Sequence, residues 1–317
     1  MNKVVLGIDI GGTNTVYGLI EQSGHVLFRG QIPTFGNEPA QNLANRLREK
    51  VDYFLEDHPD HELTGVGVGA PNGNHFTGVI QDPPNLNWGD VDIVSILKKK
   101  FPYDIILTND ANAAALGEKK FGIAKDMNDF VMITLGTGLG SGIFTNGSLL
   151  YGYDGFAGEM GHLSIDPEGR ICNCGRKGCL EMYVSAKGIR KSVNELKVKN
   201  PDDTFIQSLP EKGLDGRVLD KAFDAGERAA IELYQFTGEK LGIGLAQAAT
   251  LLSPEAFIIY GGYSNAGERL LEPARRAMDE YLLSSHKGKI LILQSSLPQS
   301  EAGIIGAASL IWSPRTV

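Results

Sequence analysis

The sequence predicts an α/β protein of two domains, and three observations carry that expectation. Apolar runs of strand length alternate along the chain with stretches of helical period. At 317 residues the chain is long enough for two domains with substantial cores. One hairpin form, an apolar run, a glycine-threonine turn and a second apolar run, occurs at residues 4–20 and again at 130–143. Its recurrence roughly 125 residues later points to an internal duplication in which each half supplies one phosphate-binding turn.

The elements follow in order. Residues 4–10 are apolar except for Asp9, and residues 16–20 and 26–32 extend the pattern into a three-stranded meander. The intervening Gly11, Gly12, Thr13, Asn14 and Thr15 are not a Walker loop, because no Gly-Lys-Ser/Thr follows and no helix opens there. They are not a dinucleotide fingerprint either. A glycine hairpin with free amides and hydroxyls can still hold phosphate oxygens, with Asp9 beside it to orient a hydrated cation, or it can be a plain β-turn. Leu43, Leu47, Val51 and Leu55, four apart, predict a helix over 38–55. A strand over 63–70 ends in the loop Pro71-Asn72-Gly73-Asn74, and a Pro-rich irregular segment carries Asn85 to Trp88. Asn72 and Asn85 could hydrogen-bond a polyol or serve as turn residues. A short helix over 93–100 precedes a strand over 104–107 that ends in Thr108-Asn109-Asp110, and an alanine-rich helix over 111–121 begins directly after. An acid at that junction is either an N-cap or a positioned catalytic group.

The second hairpin turns through Gly136, Thr137, Gly138, Leu139 and Gly140. A long helix from near Glu227 to Leu252 leads to a strand over 256–260 and a third glycine turn, Gly261-Gly262, where the base and sugar of a nucleotide could rest. The C-terminal stretch 302–311 is apolar and rich in small residues, a helix that must be well buried.

Composition excludes several classes. With 42% hydrophobic and 21% charged residues the chain is ordinary for a soluble protein, and its net charge of −8 argues against nucleic acid as a general partner. No run of 18 apolar residues occurs and the first strand begins at residue 4, so neither a membrane span nor a signal peptide is expected. Forty glycines, about twice average usage, imply tight turns or close approaches to a ligand.

All three cysteines, Cys172, Cys174 and Cys179, fall in the segment GEMGHLSIDPEGRICNCGRKGCLE, with His162 upstream of them. Three thiolates and one imidazole complete the tetrahedral shell of a structural Zn2+, whereas core packing does not explain cysteines clustered here and missing elsewhere. Glu159 precedes the histidine and Glu181 follows the last cysteine, so the metal would fix a loop with an acid at each end. Three cysteines cannot pair off internally, and a metal site of thiolates places the protein in a reducing cytoplasm.

Taken together, D-I-G-G-T near the start, L-G-T-G-L-G, G-E-M-G-H, C-N-C-G-R-K-G-C-L-E and the late G-G resemble the ROK (repressor, open reading frame, kinase) sugar kinases, over nearly the whole chain. The cysteine run is the most specific of these motifs, and the bacterial glucokinase branch is the most similar. The resemblance implies a two-domain actin/hexokinase-like (ribonuclease H-like) ATPase fold. Residues 1–110 plus 302–317 would form an N-terminal α/β domain, and 111–301 a C-terminal α/β domain with the zinc loop 158–181. It implies that Asp110 is the catalytic base, that Asn72, Asn85 and Asn109 lie at the sugar, and that Glu159, His162 and Glu181 bind sugar hydroxyls. His162 would also ligate zinc with Cys172, Cys174 and Cys179. Gly11, Gly12, Thr13, Asn14, Gly136, Thr137, Gly138, Gly261 and Gly262 would cradle ATP, and Asp9 would lie near Mg2+. A homodimer is implied as well.

The expected reaction is ATP-dependent phosphorylation of a hexose 6-hydroxyl, first of all that of D-glucose. N-acetylglucosamine, N-acetylmannosamine, fructose and mannose are alternative acceptors, and a non-catalytic sugar sensor is the alternative class. Phosphoryl transfer to an alcohol needs in-line positioning, charge neutralisation and a carboxylate to accept the proton, which these residue types supply. ROK repressors carry an N-terminal helix-turn-helix domain, for which a strand beginning at residue 4 leaves no room. Two positions depart from the common pattern. Asn14 stands where many relatives have lysine, and Asn72 follows Pro71 where glycine is usual.

Overall fold

A computed structural model describes residues 1–84 and 86–313, so Asn85 lies outside the described residues. The apolar opening forms strand β1 (Asn2–Ile10), which pairs antiparallel with β2 (Asn14–Glu21), itself antiparallel to β3 (Val26–Pro33). Helix α1 (Ala40–Asp57) begins two residues later than its periodicity predicts. Glu38 stays outside it, paired with Arg46 at 2.9 Å, and Phe54 rather than Leu55 completes the buried stripe. Strand β4 (His61–Ala70) runs parallel to β1. The small ladder of β5 (Val79–Ile80) and β6 (Val91–Asp92) leads into helix α2 (Ile93–Lys98). Strand β7 (Asp104–Asn109) then lies parallel to β4 and runs directly into helix α3 (Asp110–Phe121). The first sheet has the order β3-β2-β1-β4-β7.

The glycine-turn hairpin recurs as β8 (Phe130–Leu135) and β9 (Leu139–Thr145), followed by β10 (Ser148–Leu149). The cysteine segment has one 3-10 turn, Met160–His162, and ends at the short helix α4 (Glu181–Val184). Helices α5 (Ala186–Lys199), α6 (Thr204–Ser208) and α7 (Gly216–Asp224) follow, none of which the sequence reading anticipated. The long helix α8 (Arg228–Leu252), strand β11 (Ala256–Tyr260) and the turn after it stand where expected. Helix α9 (Glu268–Tyr281), strand β12 (Leu291–Gln294) and helix α10 (Ala302–Trp312) complete the chain. The second sheet has the order β10-β9-β8-β11-β12, with β8, β11 and β12 parallel.

The chain divides into two units. One holds Met1–Met127, Gly142–Ala157 and the residues from Ser296 on; the other holds Asn128–Ser141 and Gly158–Ser295. This departs from the expected boundary at residue 110: α3 belongs with the first unit because it packs on α10. A Cβ on Gly306 would lie 1.9 Å from the Ala113 carbonyl oxygen, so the two helices meet backbone to backbone.

Alternation along β1 makes the first unit three-layered. Val4, Leu6, Ile8 and Ile10 face Leu43, Leu47 and Val51 of α1, whereas Val5 packs with Ile304 and Ala308 of α10. Gly7 and Gly67 let α10 reach the sheet, since a Cβ there would fall 2.0 Å from the Ile304 oxygen and 1.7 Å from the Ala307 oxygen. In the second unit α8 packs along α9, where Gly242 meets the Ala274 carbonyl and Gly238 meets Pro273.

Candidate active site and metal centre

In the first unit the parallel strands β1, β4 and β7 end side by side. Asp9 is in register with Gly69, and Gly69 with Thr108, which puts Asp9 near the junction where β7 gives way to α3. The carboxyl ends of parallel strands are where open α/β sheets hold ligands. At the junction Asn109 is the helix cap: its backbone is extended and its side-chain oxygen accepts from the Ala111 N–H at 2.8 Å. Asp110 is therefore the first helical residue, and one of its oxygens accepts from the same N–H at 2.9 Å. Solvent reaches Asp110, yet protein crowds its carboxyl enough that desolvation raises its pKa. Burial, and then the charge of Asp110, push Asp9 up to about 7. Asp9 also lies against the first turn of α10, where a Cβ on Gly303 would come within 2.4 Å of its carboxylate. The helix N-terminus favours the ionised form there and works against the burial. Two carboxyls thus sit together with affinities for protons above the ordinary range, as sites of acid–base chemistry require.

The turn after β1 is closed by the Gly11 N–H donating to the Asn14 carbonyl at 3.0 Å. Thr13 and Asn14 are exposed. Asn72 has a left-handed backbone (φ 53°), and its amide donates to the carbonyls of Gln81 at 2.9 Å and Asp82 at 3.3 Å. Its amide hydrogens thus serve the loop, as in the turn-residue alternative, and leave its carbonyl oxygen as the group for a ligand.

In the second unit two glycine turns meet at the ends of neighbouring parallel strands, β8 and β11. Gly261 has φ 102°, and a Cβ there would lie 2.3 Å from the Leu135 carbonyl oxygen, so only glycine fits. The Gly136 N–H donates to the Gly138 carbonyl at 3.0 Å, and the Gly136 carbonyl accepts from Ala186 at 3.0 Å. Around Gly136 and Gly262 nothing within 4 Å would oppose a Cβ, so both turns face open space. A Cβ on Gly138 would stand 3.0 Å from a Glu181 carboxylate oxygen, which ties this turn to the cysteine segment.

The same unit gathers His162, Cys172, Cys174 and Cys179 so that their ligating atoms all lie within 4.8 Å of one another. Cys174 Sγ and Cys179 Sγ are 3.6 Å apart, and Cys172 Sγ is 3.8 Å from His162 Nδ1. Those spacings match the edges of a tetrahedron about a zinc ion, about 3.6–3.8 Å for Zn–S near 2.3 Å and Zn–N near 2.1 Å. The donor set and these two spacings are compatible with Zn2+. His162 presents Nδ1 to the cysteines and Nε2 toward Glu159, 4.0 Å from its carboxylate, and Glu181 lies 3.9 Å from Nδ1.

Several supporting residues were not legible in the sequence. Arg170, inside the cysteine segment, donates to the carbonyls of Met182 at 2.7 Å and Gly188 at 3.1 Å and to the Ser192 hydroxyl at 2.8 Å, beneath the Tyr183 ring. It fastens the segment to α4 and α5. The Ser141 hydroxyl donates to the Gly158 carbonyl, holding the start of the segment. Asn74 donates to the Asp154 carbonyl at 2.7 Å and accepts from Phe76 and Thr77, closing the loop that carries Asn72. An arginine or asparagine in a loop carries no periodic signal, so only the fold could single these out.

A sequence model of the ROK family matches residues 5–313. A glucokinase of Thermotoga maritima is 35% identical over 312 residues, covering 97% of this chain and 96% of that protein. The structure of a ROK family glucokinase from Streptomyces griseus in complex with glucose and AMPPNP superimposes with a TM-score of 0.82 at 30% identity, covering 97% of this chain and 98% of that one. The xylose repressor of Bacillus subtilis is 29% identical, with 96% of this chain matching 76% of the repressor. The mixed α/β architecture is thus the actin/hexokinase-like fold of the ROK glucokinases. With the family's motifs in order and its match running almost from end to end, the chain belongs to the ROK family.

Proposed function

We propose that the protein is an ATP-dependent sugar kinase that phosphorylates the 6-hydroxyl of a hexose, D-glucose before others. The observation that supports this reading most is the full-length likeness to a glucokinase whose structure holds glucose and AMPPNP. The two proton-hungry carboxyls at the strand ends of the first unit add an independent reason.

In this reading Asp110 accepts the proton of the attacking hydroxyl as the O–P bond forms, its raised pKa making it a better base near neutral pH. Asn109 contacts the sugar through its amide hydrogens while its oxygen caps α3. Asn72 and Asn85 bind the sugar loop side of the hexose, and Glu159, His162 and Glu181 bind further hydroxyls. The turns Gly11, Gly12, Thr13 and Asn14, Gly136, Thr137 and Gly138, and Gly261 and Gly262 offer backbone N–H groups to ATP without side-chain obstruction. Asp9 orients the hydration shell of Mg2+, which neutralises phosphate charge when bound. Zn2+ is held by His162, Cys172, Cys174 and Cys179 and has a structural role, keeping Glu159 and Glu181 in place. The protein acts as a homodimer in the cytoplasm, where ATP is supplied and thiolates stay reduced. Among the described residues no helix is long and apolar enough to cross a membrane.

A coupled assay of ADP release, run with glucose, mannose, fructose and the two N-acetylhexosamines, tests the proposal. Glucose should give the highest kcat/KM, because polar pockets discriminate strongly against a misplaced hydroxyl. Another sugar ahead by tenfold would replace the glucose assignment and leave the kinase standing. The likeness to the xylose repressor favours a second reading, a sugar binder without turnover. Binding of hexose with no ADP release from any of the five would establish it.

A further inference from the structure

The glycine turn after β1 is braced from behind by a pair of buried threonines. Thr34, the residue after β3, and Thr15, at the start of β2, are 1% and 0% exposed, and their hydroxyls are 2.9 Å apart. The Thr34 hydroxyl donates to the Gly11 carbonyl at 2.7 Å, and the Thr34 N–H donates to the Thr13 carbonyl at 2.9 Å. One residue just past the neighbouring strand therefore holds two of the turn's carbonyls, those of Gly11 and Thr13. The Thr15 hydroxyl must then donate to Thr34, since Thr34 spends its only hydroxyl proton on Gly11. With those oxygens held, the N–H groups of Gly12 and Thr13 have no acceptor among the described residues, and Thr13 stands exposed.

We infer that Thr34 is a positioning residue for the nucleotide, acting through the Gly11–Asn14 turn by locking its carbonyls inward and its N–H groups outward. The inference rests on the reading of that turn as a phosphate site. A turn of glycines has many conformations of similar energy, and an anion site needs one of them. A buried hydroxyl bonded to the part-buried Gly11 carbonyl selects it, because breaking the bond leaves the Thr34 hydroxyl proton dry and without an acceptor. The departure at Asn14 gives the brace more to do in this chain. With no lysine in the turn, the outward amides carry the phosphate contact.

The test compares Thr34→Val, which removes the hydroxyl at nearly constant volume, with Thr34→Ser, which keeps it. Thr34→Val should raise KM for ATP tenfold or more while KM for the hexose stays within twofold, and Thr34→Ser should restore the ATP value to within threefold of wild type. A purely structural role would instead move both KM values together or lower Tm with neither changed, and either result overturns the inference. Should Thr34→Val fail to fold, Thr15→Val removes one bond of the pair and should raise KM for ATP about threefold. No change in that variant overturns the inference too. Amide resonances of Gly12 and Thr13 in the wild-type protein should shift when AMPPNP is added. Their failure to move would remove the nucleotide reading of the turn, a result separate from an unaltered KM in Thr34→Val.

Discussion

Asp9 and Asp110 share one corner of the first sheet, where burial raises the pKa of both and the charge of Asp110 makes Asp9 harder still to ionise. Their roles separate under substitution. Asp110→Asn keeps the shape and the bond from Ala111 but cannot accept a proton, so kcat should fall about 10²–10⁴-fold with a far smaller change in KM for glucose. A variant that retains a tenth of wild-type turnover would hand the base role to another group. Asp9 carries a stability cost of definite sign. Its pKa in the folded chain is about 7, above the ordinary 3.8, so between these values the folded state binds more protons than the unfolded one. Stability therefore falls as pH rises from near 4 to near 7, and the cost is full above that. In the absence of Mg2+ and ATP, Asp9→Asn should raise stability by on the order of 4 kcal/mol at pH 8, by roughly a third of that at pH 5, and hardly at all near pH 3. Equal effects at all three pH values in thermal melts would show that Asp9 is not held in this state. The helix cap was the open question at this junction in the sequence. Asn109 fills it, which leaves Asp110 free to face a substrate, and only backbone geometry could tell the neighbours apart.

At the scale of the element, the cysteine segment has almost no regular structure and is held by side chains. Its folded form depends on the four-ligand cluster, on the antiparallel bridges Ser164–Cys179 and Ile171–Lys177, and on Arg170 beneath α4 and α5. Binding of structural zinc is worth about 10–16 kcal/mol in comparable sites, so the metal should dominate that set. Purified protein is expected to contain one zinc per chain by elemental analysis. Chelation should open residues 162–181 to proteolysis while the first unit, which holds none of the ligands, stays resistant. Zinc well below one per chain, or a chelated protein cut no faster, would rule the metal out. The cluster of His162, Cys172, Cys174 and Cys179 was readable from sequence because metal chemistry restricts residue type more tightly than packing does. Arg170 was not, since what it holds, the carbonyls of Met182 and Gly188, is brought near only by the fold.

At the scale of the whole molecule, a sugar kinase should be stabilised by its own substrate. Glucose at a hundred times its Kd should add about 2.7 kcal/mol to the apparent stability by mass action. The rise in melting temperature should be larger with glucose than with xylose at the same concentration; the reverse order would favour a sensor of the repressor kind. In this fold the sequence by itself determined what depends on residue type and short period. Strands β1, β4 and β8, the two glycine hairpins, the gathering of His162 with the three cysteines and the buried C-terminal helix were all legible, because alternation, glycine turns and thiolate clusters are local signals. Helices α5, α7 and α9 were passed over, although each carries an apolar stripe once its boundaries are known. The tertiary structure alone decided which unit α3 belongs to, that Asp9 meets the first turn of α10, and what braces the Gly11–Asn14 turn. Each of these rests on a contact between residues distant in sequence, Gly306 against Ala113, Gly303 against Asp9, Thr34 against Gly11. No local pattern records such contacts, because the backbone approach that makes them exists only after the sheet and α10 have come together.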